Sequence, residues 1–230
     1  MSILDHSVFN RLRCGAGPLW AEFTWHPFVR GLGDGTLPIP AFRRYLTQDY
    51  LFPIQFARAY ALAGFKANRL VDLRAASAGF AAILDELPLH VSFCAGWGLD
   101  EAGMAAEPEA LETVAYTRFV LDCGAAGDLL DLYVALAPCV LGYAEIGRRF
   151  AAGQAQGSPY APWIATYAGP DYQTAAEGTH ATLDRLWAER GGGARAAVLQ
   201  ESFNKAVRLE TAFWDMGWRE AGPFHPGISN

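Results

Sequence analysis

The side chains able to do chemistry are few and lie far apart along the chain. Cys139 sits in Ala135-Leu-Ala-Pro-Cys-Val-Leu-Gly-Tyr143, a strongly apolar run of helical character. Pro138 removes one helical hydrogen bond and crowds the preceding turn, so a kink beside the thiol is expected. Tyr143, four residues on, falls on the same face one turn away. A thiol in this setting has two readings. It is an inert buried side chain, the commoner fate of cysteine, or a nucleophile that needs a base to take its proton. Asp49, in Gln48-Asp-Tyr-Leu-Phe52, and Glu210, in Glu210-Thr-Ala-Phe-Trp214, are carboxylates in aromatic and aliphatic company. Such a carboxylate is desolvated unless paired; the alternative is a solvated helix face or, for Asp49, an ion pair with Arg43 or Arg44. Glu86 and His90 are an i,i+4 pair that can simply support a helix. Tyr116, Tyr143 and Tyr167 stand in apolar surroundings, where a phenol needs a hydroxyl partner. They fit a hydrophobic core and, with Phe52, also fit the walls of a site for a flat aromatic ligand.

Other chemistries find less support. The five histidines form no HxxxH or HExxH, and the four cysteines (14, 94, 123, 139) contain no CxxC. Neither a metal site nor a disulfide framework is expected, and no cofactor is implied. Gly31-Leu-Gly-Asp-Gly-Thr-Leu-Pro38 lacks the Lys-Ser/Thr of a phosphate loop and reads as a turn. The charge is −6 with no basic run beyond the doublets Arg43-Arg44 and Arg148-Arg149, which argues against nucleic acid as a partner.

Helices must position these groups. Hydrophobic residues make up 52% of the 230 and charged residues 18%, enough for a core and too apolar for a disordered chain. Alanine is abundant, valine and isoleucine are scarce, and no apolar/polar alternation is sustained. The 3.6-residue period predicts about eight helices, over 2–25 (with a break at 15–18), 40–66, 71–95, 111–122, 126–152, 159–167, 172–188 and 195–221. Asp171 is expected to cap the seventh and Pro40 to sit in the first turn of the second. Nothing divides the chain, so a single all-α domain over 1–221 with a C-terminal tail over 222–230 is predicted. No secretory signal is recognised, and no segment reads as a membrane span: the best candidate, 132–144, is too short. A soluble cytoplasmic protein is expected.

Several segments, in order, resemble the TenA family (thiaminase II, or aminopyrimidine aminohydrolase). They are His26-Pro-Phe-Val-Arg-Gly-Leu-Gly-Asp-Gly-Thr-Leu-Pro38, continuing through Phe42-Arg-Arg-Tyr-Leu-Thr-Gln-Asp-Tyr50; Glu86-Leu-Pro-Leu-His90; Pro138-Cys-Val-Leu-Gly-Tyr143 with Glu145; Trp163-Ile-Ala-Thr-Tyr167; and Glu210-Thr-Ala-Phe-Trp-Asp-Met216. The resemblance spans about residues 20–220. It implies a haem-oxygenase-like multi-helix bundle, usually a homotetramer. It also implies hydrolysis at the methylene carbon on a pyrimidine ring. Thiamine is cleaved to hydroxymethylpyrimidine and thiazole, and 4-amino-5-aminomethyl-2-methylpyrimidine is converted to the alcohol and ammonia, a salvage step for thiamine. Carried over residue by residue, the nucleophile falls on Cys139, which marks the cysteine class, and the acid/base carboxylate on Glu210. Asp49 would hold a ring nitrogen and the exocyclic amine, and Tyr116, Tyr143 and Tyr167 would line and orient the ring. Phe52 stands where many members have tyrosine, so stacking survives and a hydroxyl contact is lost; Pro53 is a further departure.

Two alternatives stay open. One is hydrolysis of a related small amine on the same scaffold. The other is a pyrimidine-binding regulator without turnover, although DNA binding itself lacks a basic patch. A haem enzyme would be analogy of fold alone. His26 is its one conceivable axial ligand, and it sits in a segment where a structural role is expected.

Overall fold

The computed structural model describes residues 7–153 and 157–219, so the predicted tail over 222–230 lies outside the described residues. Eleven helices appear among them: α1 Val8–Ala16, α2 Pro18–Thr24, α3 Pro27–Asp34, α4 Ile39–Lys66, α5 Leu70–Ala95, α6 Glu101–Ala106, α7 Leu111–Ala126, α8 Leu129–Ala151, α9 Ala161–Ala168, α10 Pro170–Glu189 and α11 Ala196–Arg219. No strand occurs among the described residues, as the alanine-rich composition predicts.

The starts and stops follow local chemistry. Ser7 caps α1 by accepting from the Asn10 amide at 3.2 Å. Asp128 and Asp131 cap α8 reciprocally: Asp128 accepts from the Leu130 amide at 2.8 Å, and Asp131 accepts from the Asp128 amide at 2.7 Å. Pro40 lies in the first turn of α4 as expected.

Four readings need correction. The segment taken as a turn from Gly31 is, in its first half, the last turn of α3, which ends at Gly35 in the left-handed region. Its glycines mask the helical period because packing demands them: a Cβ on Gly33 would meet the Phe150 ring at 2.1 Å. The helix predicted over 111–122 does not stop before Cys123-Gly124, and α7 continues to Ala126. Asp171 does not cap α10; Gly169 is the N-cap without a side-chain bond, and Asp171 lies inside the first turn. Finally, α5 and α8 are both long and apolar enough to cross a membrane by length and composition alone. In α8 most of that stretch is buried inside the bundle, whereas in α5 little of it is fully buried.

Helix α8 is the axis of the fold, packing against α4, α7, α9, α10 and α11. Leu129, Leu130, Leu132, Val134 to Leu136 and Ile146 are buried along it. Glu145 anchors its outer turn, accepting from Arg13 at 2.9 Å, Trp20 Nε1 at 3.1 Å and Arg149 at 2.5 Å. This quoted motif residue is therefore a structural clamp for α1 and α2. Helix α4 pairs with α5 along one flank and with α7 and α11 on the other. A second clamp joins α5 to α10, where buried Asp72 meets Arg185 at 2.6 Å and Arg190 at 3.8 Å.

Candidate active site

Cys139 on α8, Glu210 on α11 and Tyr116 on α7 converge in the middle of the bundle. The Tyr116 hydroxyl donates to Glu210 Oε1 at 2.8 Å, and the Cys139 thiol stands within hydrogen-bond reach of the same carboxyl. Glu210 is only 1% exposed, while Cys139 is half-buried and keeps some accessible surface. Burial pushes Glu210 up to about 8; the Tyr116 and Cys139 hydrogen bonds oppose that rise and the Asp49 charge adds to it. Burial, followed by the Glu210 and Asp49 charges, raises the thiol well above its ordinary value. A thiolate beside an ionised Glu210 is thus disfavoured twice. The pair therefore carries at most one negative charge.

The aromatic side chains expected to line a ligand fall into two clusters. Tyr143 and Tyr167 rings are 4.9 Å apart, and Trp163 lies 4.6 Å from Tyr167. Phe52 packs 5.2 Å from Tyr116 and 5.4 Å from Phe213. One cluster thus gathers Tyr143, Tyr167 and Trp163, and the other Phe52, Tyr116 and Phe213. Gly147 makes this possible on the α9 side: a Cβ there would sit 2.5 Å from the Tyr167 carbonyl carbon. Pro53 lies inside α4. The residue four before it is Asp49, whose carbonyl loses its helical donor.

Asp49 is buried on α4 and pairs with neither Arg43 nor Arg44; Arg43 reaches the Gly98 carbonyl and Arg44 reaches Glu107 at 3.9 Å. Its neighbours are the Tyr45 hydroxyl, within hydrogen-bond reach, and His90 Nδ1 at 3.7 Å. Burial pushes Asp49 up to about 7, against the Tyr45 hydrogen bond. Three site residues escaped the sequence reading. Tyr45 is fully buried and accepts from Trp163 Nε1 at 3.2 Å; it sits one turn before Asp49, a spacing that could have flagged it. Trp163 lies inside the Trp163–Tyr167 segment, of which the resemblance picks out only the tyrosine. Glu86 is more than a helix-supporting partner of His90: burial and the Asp49 charge push it up to about 7. His26, the conceivable haem ligand, has both nitrogens engaged, Nδ1 by the Phe28 amide at 3.2 Å and Nε2 by Asp215 at 3.1 Å. It caps α3 and is not free to bind iron. Among the described residues, no cluster of three or more His, Cys, Asp or Glu could hold a metal ion.

Residues 16–220 match the model of the TENA/THI-4/PQQC family. The chain belongs to that family. An aminopyrimidine aminohydrolase from Halalkalibacterium halodurans is 35% identical, over 89% of this chain and 92% of that protein. A crystal structure of a TenA family transcription regulator from Silicibacter is 44% identical with a TM-score of 0.87, covering 91% of this chain and 96% of that one. A Shewanella denitrificans domain of unknown function with a heme oxygenase-like fold superposes with a TM-score of 0.70 at 18% identity, covering 99% of this chain and 98% of that one. The fold is therefore the all-α, haem-oxygenase-like bundle that the resemblance implies.

Proposed function

We propose that this protein is an aminopyrimidine aminohydrolase of the thiaminase II type, acting in thiamine salvage. On this reading it converts 4-amino-5-aminomethyl-2-methylpyrimidine and water to 4-amino-5-hydroxymethyl-2-methylpyrimidine and ammonia, and it also cleaves thiamine to the same alcohol and thiazole. The observation that carries it is the buried line Cys139–Glu210–Tyr116, set between aromatic walls with Asp49 at one edge. The family membership and the name of the Halalkalibacterium halodurans relative support the reaction class.

The chemistry follows from the side chains. The pyrimidine lies between Phe52 and Tyr116 on one side and Tyr143 and Tyr167 on the other. Asp49 binds a ring nitrogen and the exocyclic amine, which makes the ring electron-poor. Glu210 takes the Cys139 proton as the sulfur adds to a ring carbon. Electrons pushed through the ring expel the leaving group from the methylene, and the Glu210 proton goes to the departing amine. Water then adds to the exocyclic methylene while the Glu210 carboxylate takes its proton; the ring regains its electrons, the carbon–sulfur bond breaks, and Glu210 returns that proton to the sulfur as the thiol. Such proton transfer is worth about 10²–10⁴-fold. A carboxyl near 8 suits the role, since it is basic enough to accept from a thiol and acidic enough to donate to an amine.

We also propose a homotetramer in the cytoplasm, a reducing compartment that keeps a thiol nucleophile active, with no nucleic acid or membrane as partner. The outward surface formed by α4 and α5 supports assembly. Phe65 is 87% exposed, with Leu70, Val71 and Leu73 exposed beside it, next to an apolar groove of about 180 Å³ lined by Tyr60, Gly64, Ala76 and Phe80. Sedimentation of the wild type beside Leu73→Glu checks this: a smaller species is expected for the variant, and a wild-type monomer refutes it.

Ammonia release from 4-amino-5-aminomethyl-2-methylpyrimidine, run beside thiamine with wild type and Cys139→Ala, tests the function. Turnover lost in the variant supports the nucleophile. Tight pyrimidine binding without turnover would move the reading to a sensor.

A further inference from the structure

The start of α7 is held from outside the helix. Its N-cap is Ala110, which has no side chain able to cap it. Gln48 on α4 supplies what Ala110 lacks. Gln48 Oε1 accepts from the Ala110 amide at 2.8 Å and from the Thr113 hydroxyl at 2.7 Å, and Nε2 donates to the Pro108 carbonyl at 3.1 Å. Thr113 is the third residue of α7, where a capping box would carry its own acceptor for the N-cap amide; the glutamine oxygen takes that place. An amide N–H only donates and a carbonyl only accepts, so these partners fix which way round the Gln48 amide lies. Gln48 and Thr113 are both 0% exposed, so water does not compete for the bond between them.

This clamp lies one turn from the site on both helices. Tyr116, three residues after Thr113, donates to Glu210 at 2.8 Å. Phe52, four residues after Gln48, packs 5.2 Å from Tyr116. Gln48 and Phe52 thus present one face of α4 to α7, whereas Asp49 turns toward α5, with His90 3.7 Å away. The two helices meet again at Lys66, whose Nζ donates to the Ala125 carbonyl at 3.0 Å and to the Gly127 carbonyl at 2.5 Å. That tie is partly exposed and hangs on a flexible stem, so it follows small movements of α7. A buried planar amide with three fixed partners does not, and it sets where α7 begins.

We propose that Gln48 is a positioning residue for the reaction: by clamping the start of α7 onto α4 it places the Tyr116 hydroxyl on Glu210. The proposal rests on the aminopyrimidine reading given above, in which Glu210 moves the protons. The hydrogen bonds of Gln48 go to Pro108, Ala110 and Thr113, so it acts through Tyr116 and not on the reacting atoms. Without the clamp α7 slides, and an O–H···O bond leaves its ordinary range beyond about 3.0 Å. Glu210 then loses the donor that holds its carboxyl beside the thiol.

Spectra of the full chain carrying ¹³C at the tyrosine Cζ test this without substrate, with Tyr116 assigned by loss of its signal in Tyr116→Phe. Gln48→Met removes all three bonds at similar length, Thr113→Val removes one and keeps the shape, and Thr113→Ser keeps the hydroxyl. The Tyr116 signal is expected to move in Gln48→Met and Thr113→Val and to stay at its wild-type position in Thr113→Ser. A signal unmoved by Gln48→Met overturns the proposal, whatever that variant loses in stability. Should Gln48→Met not fold, Thr113→Val decides in its place. Ammonia release supplies the second arm. Gln48→Met is expected to lower kcat about 10–10²-fold when Tyr116 is present, but at most about twofold in Tyr116→Phe, where the contact to be positioned is already gone. Equal losses in both backgrounds would mean a structural role only and overturn the proposal. If the wild type releases no ammonia, the functional reading fails by itself, and the tyrosine spectra still decide whether Gln48 places Tyr116.

Discussion

Burying Glu210 costs stability in a pH-dependent way, and Glu210→Gln should reveal it. The carboxyl rises from 4.5 to about 8 on folding because the core does not solvate its charge. A raised folded pKa means that the stabilising contribution is complete below the unfolded value and is lost as pH rises through the folded one. The loss amounts to about 0.8 kcal/mol by pH 5, about 3 kcal/mol by pH 7 and about 4 kcal/mol by pH 8, at about 1.36 kcal/mol per unit of differential protonation. Glutamine has no such proton to lose, and its amide is close in size. The variant should therefore gain on the wild type by about 2.5 kcal/mol between pH 5 and pH 7, or roughly 5–10 °C in Tm for a chain of this length. The assay is denaturant unfolding of both proteins at pH 5, 6, 7 and 8, at one protein concentration because an oligomer's stability depends on it. The same variant should lose ammonia release. Parallel pH curves for the two proteins would refute the reasoning, since they would mean that Glu210 ionises in the folded protein as it does unfolded. Flat curves with full activity would refute both the burial and the catalytic role.

Further outcomes follow from single contacts. Tyr116→Phe removes a hydrogen bond that favours the ionised carboxyl, so the Glu210 midpoint should move above about 8 and carry the pH profile of ammonia release upward with it; an unmoved profile would separate Tyr116 from Glu210. Gly147→Ala places a Cβ against the Tyr167 backbone and should cost about 1–3 kcal/mol in a denaturant melt while raising KM through the displaced ring; a neutral melt would show that α8 and α9 yield freely. Asp72→Ala strips Arg185 and Arg190 of a buried partner and should destabilise by about 3 kcal/mol with little change in kcat, because the clamp lies on the α5–α10 seam away from Cys139; an unchanged denaturant midpoint would count against it.

The sequence by itself determined the helices and most of the candidate site residues. Periodicity marks α4, α8 and α11 because each buries one long apolar stripe, a property local to about twenty residues. The short α6 was missed for the same reason: its six residues are too few to display a period. Helix α3 is half hidden in the sequence because Gly33 answers to Phe150, a residue more than a hundred positions away. Cys139, Asp49 and Glu210 stood out as polar groups in apolar runs, and their order along the chain resembled one family. Their meeting was legible nowhere in the sequence. Tyr116 and Glu210, 94 residues apart, share a hydrogen bond only because α7 and α11 cross beside α8. Tertiary structure also separated equivalent-looking residues. Glu145, beside the thiol in sequence, faces out to Arg13 and Arg149, whereas Glu86 faces in toward Asp49. Spacing shows which residues share a helix face, but the charge a carboxyl carries there depends on whether cations, water or other carboxyls lie across from it, and the packing of distant helices sets that.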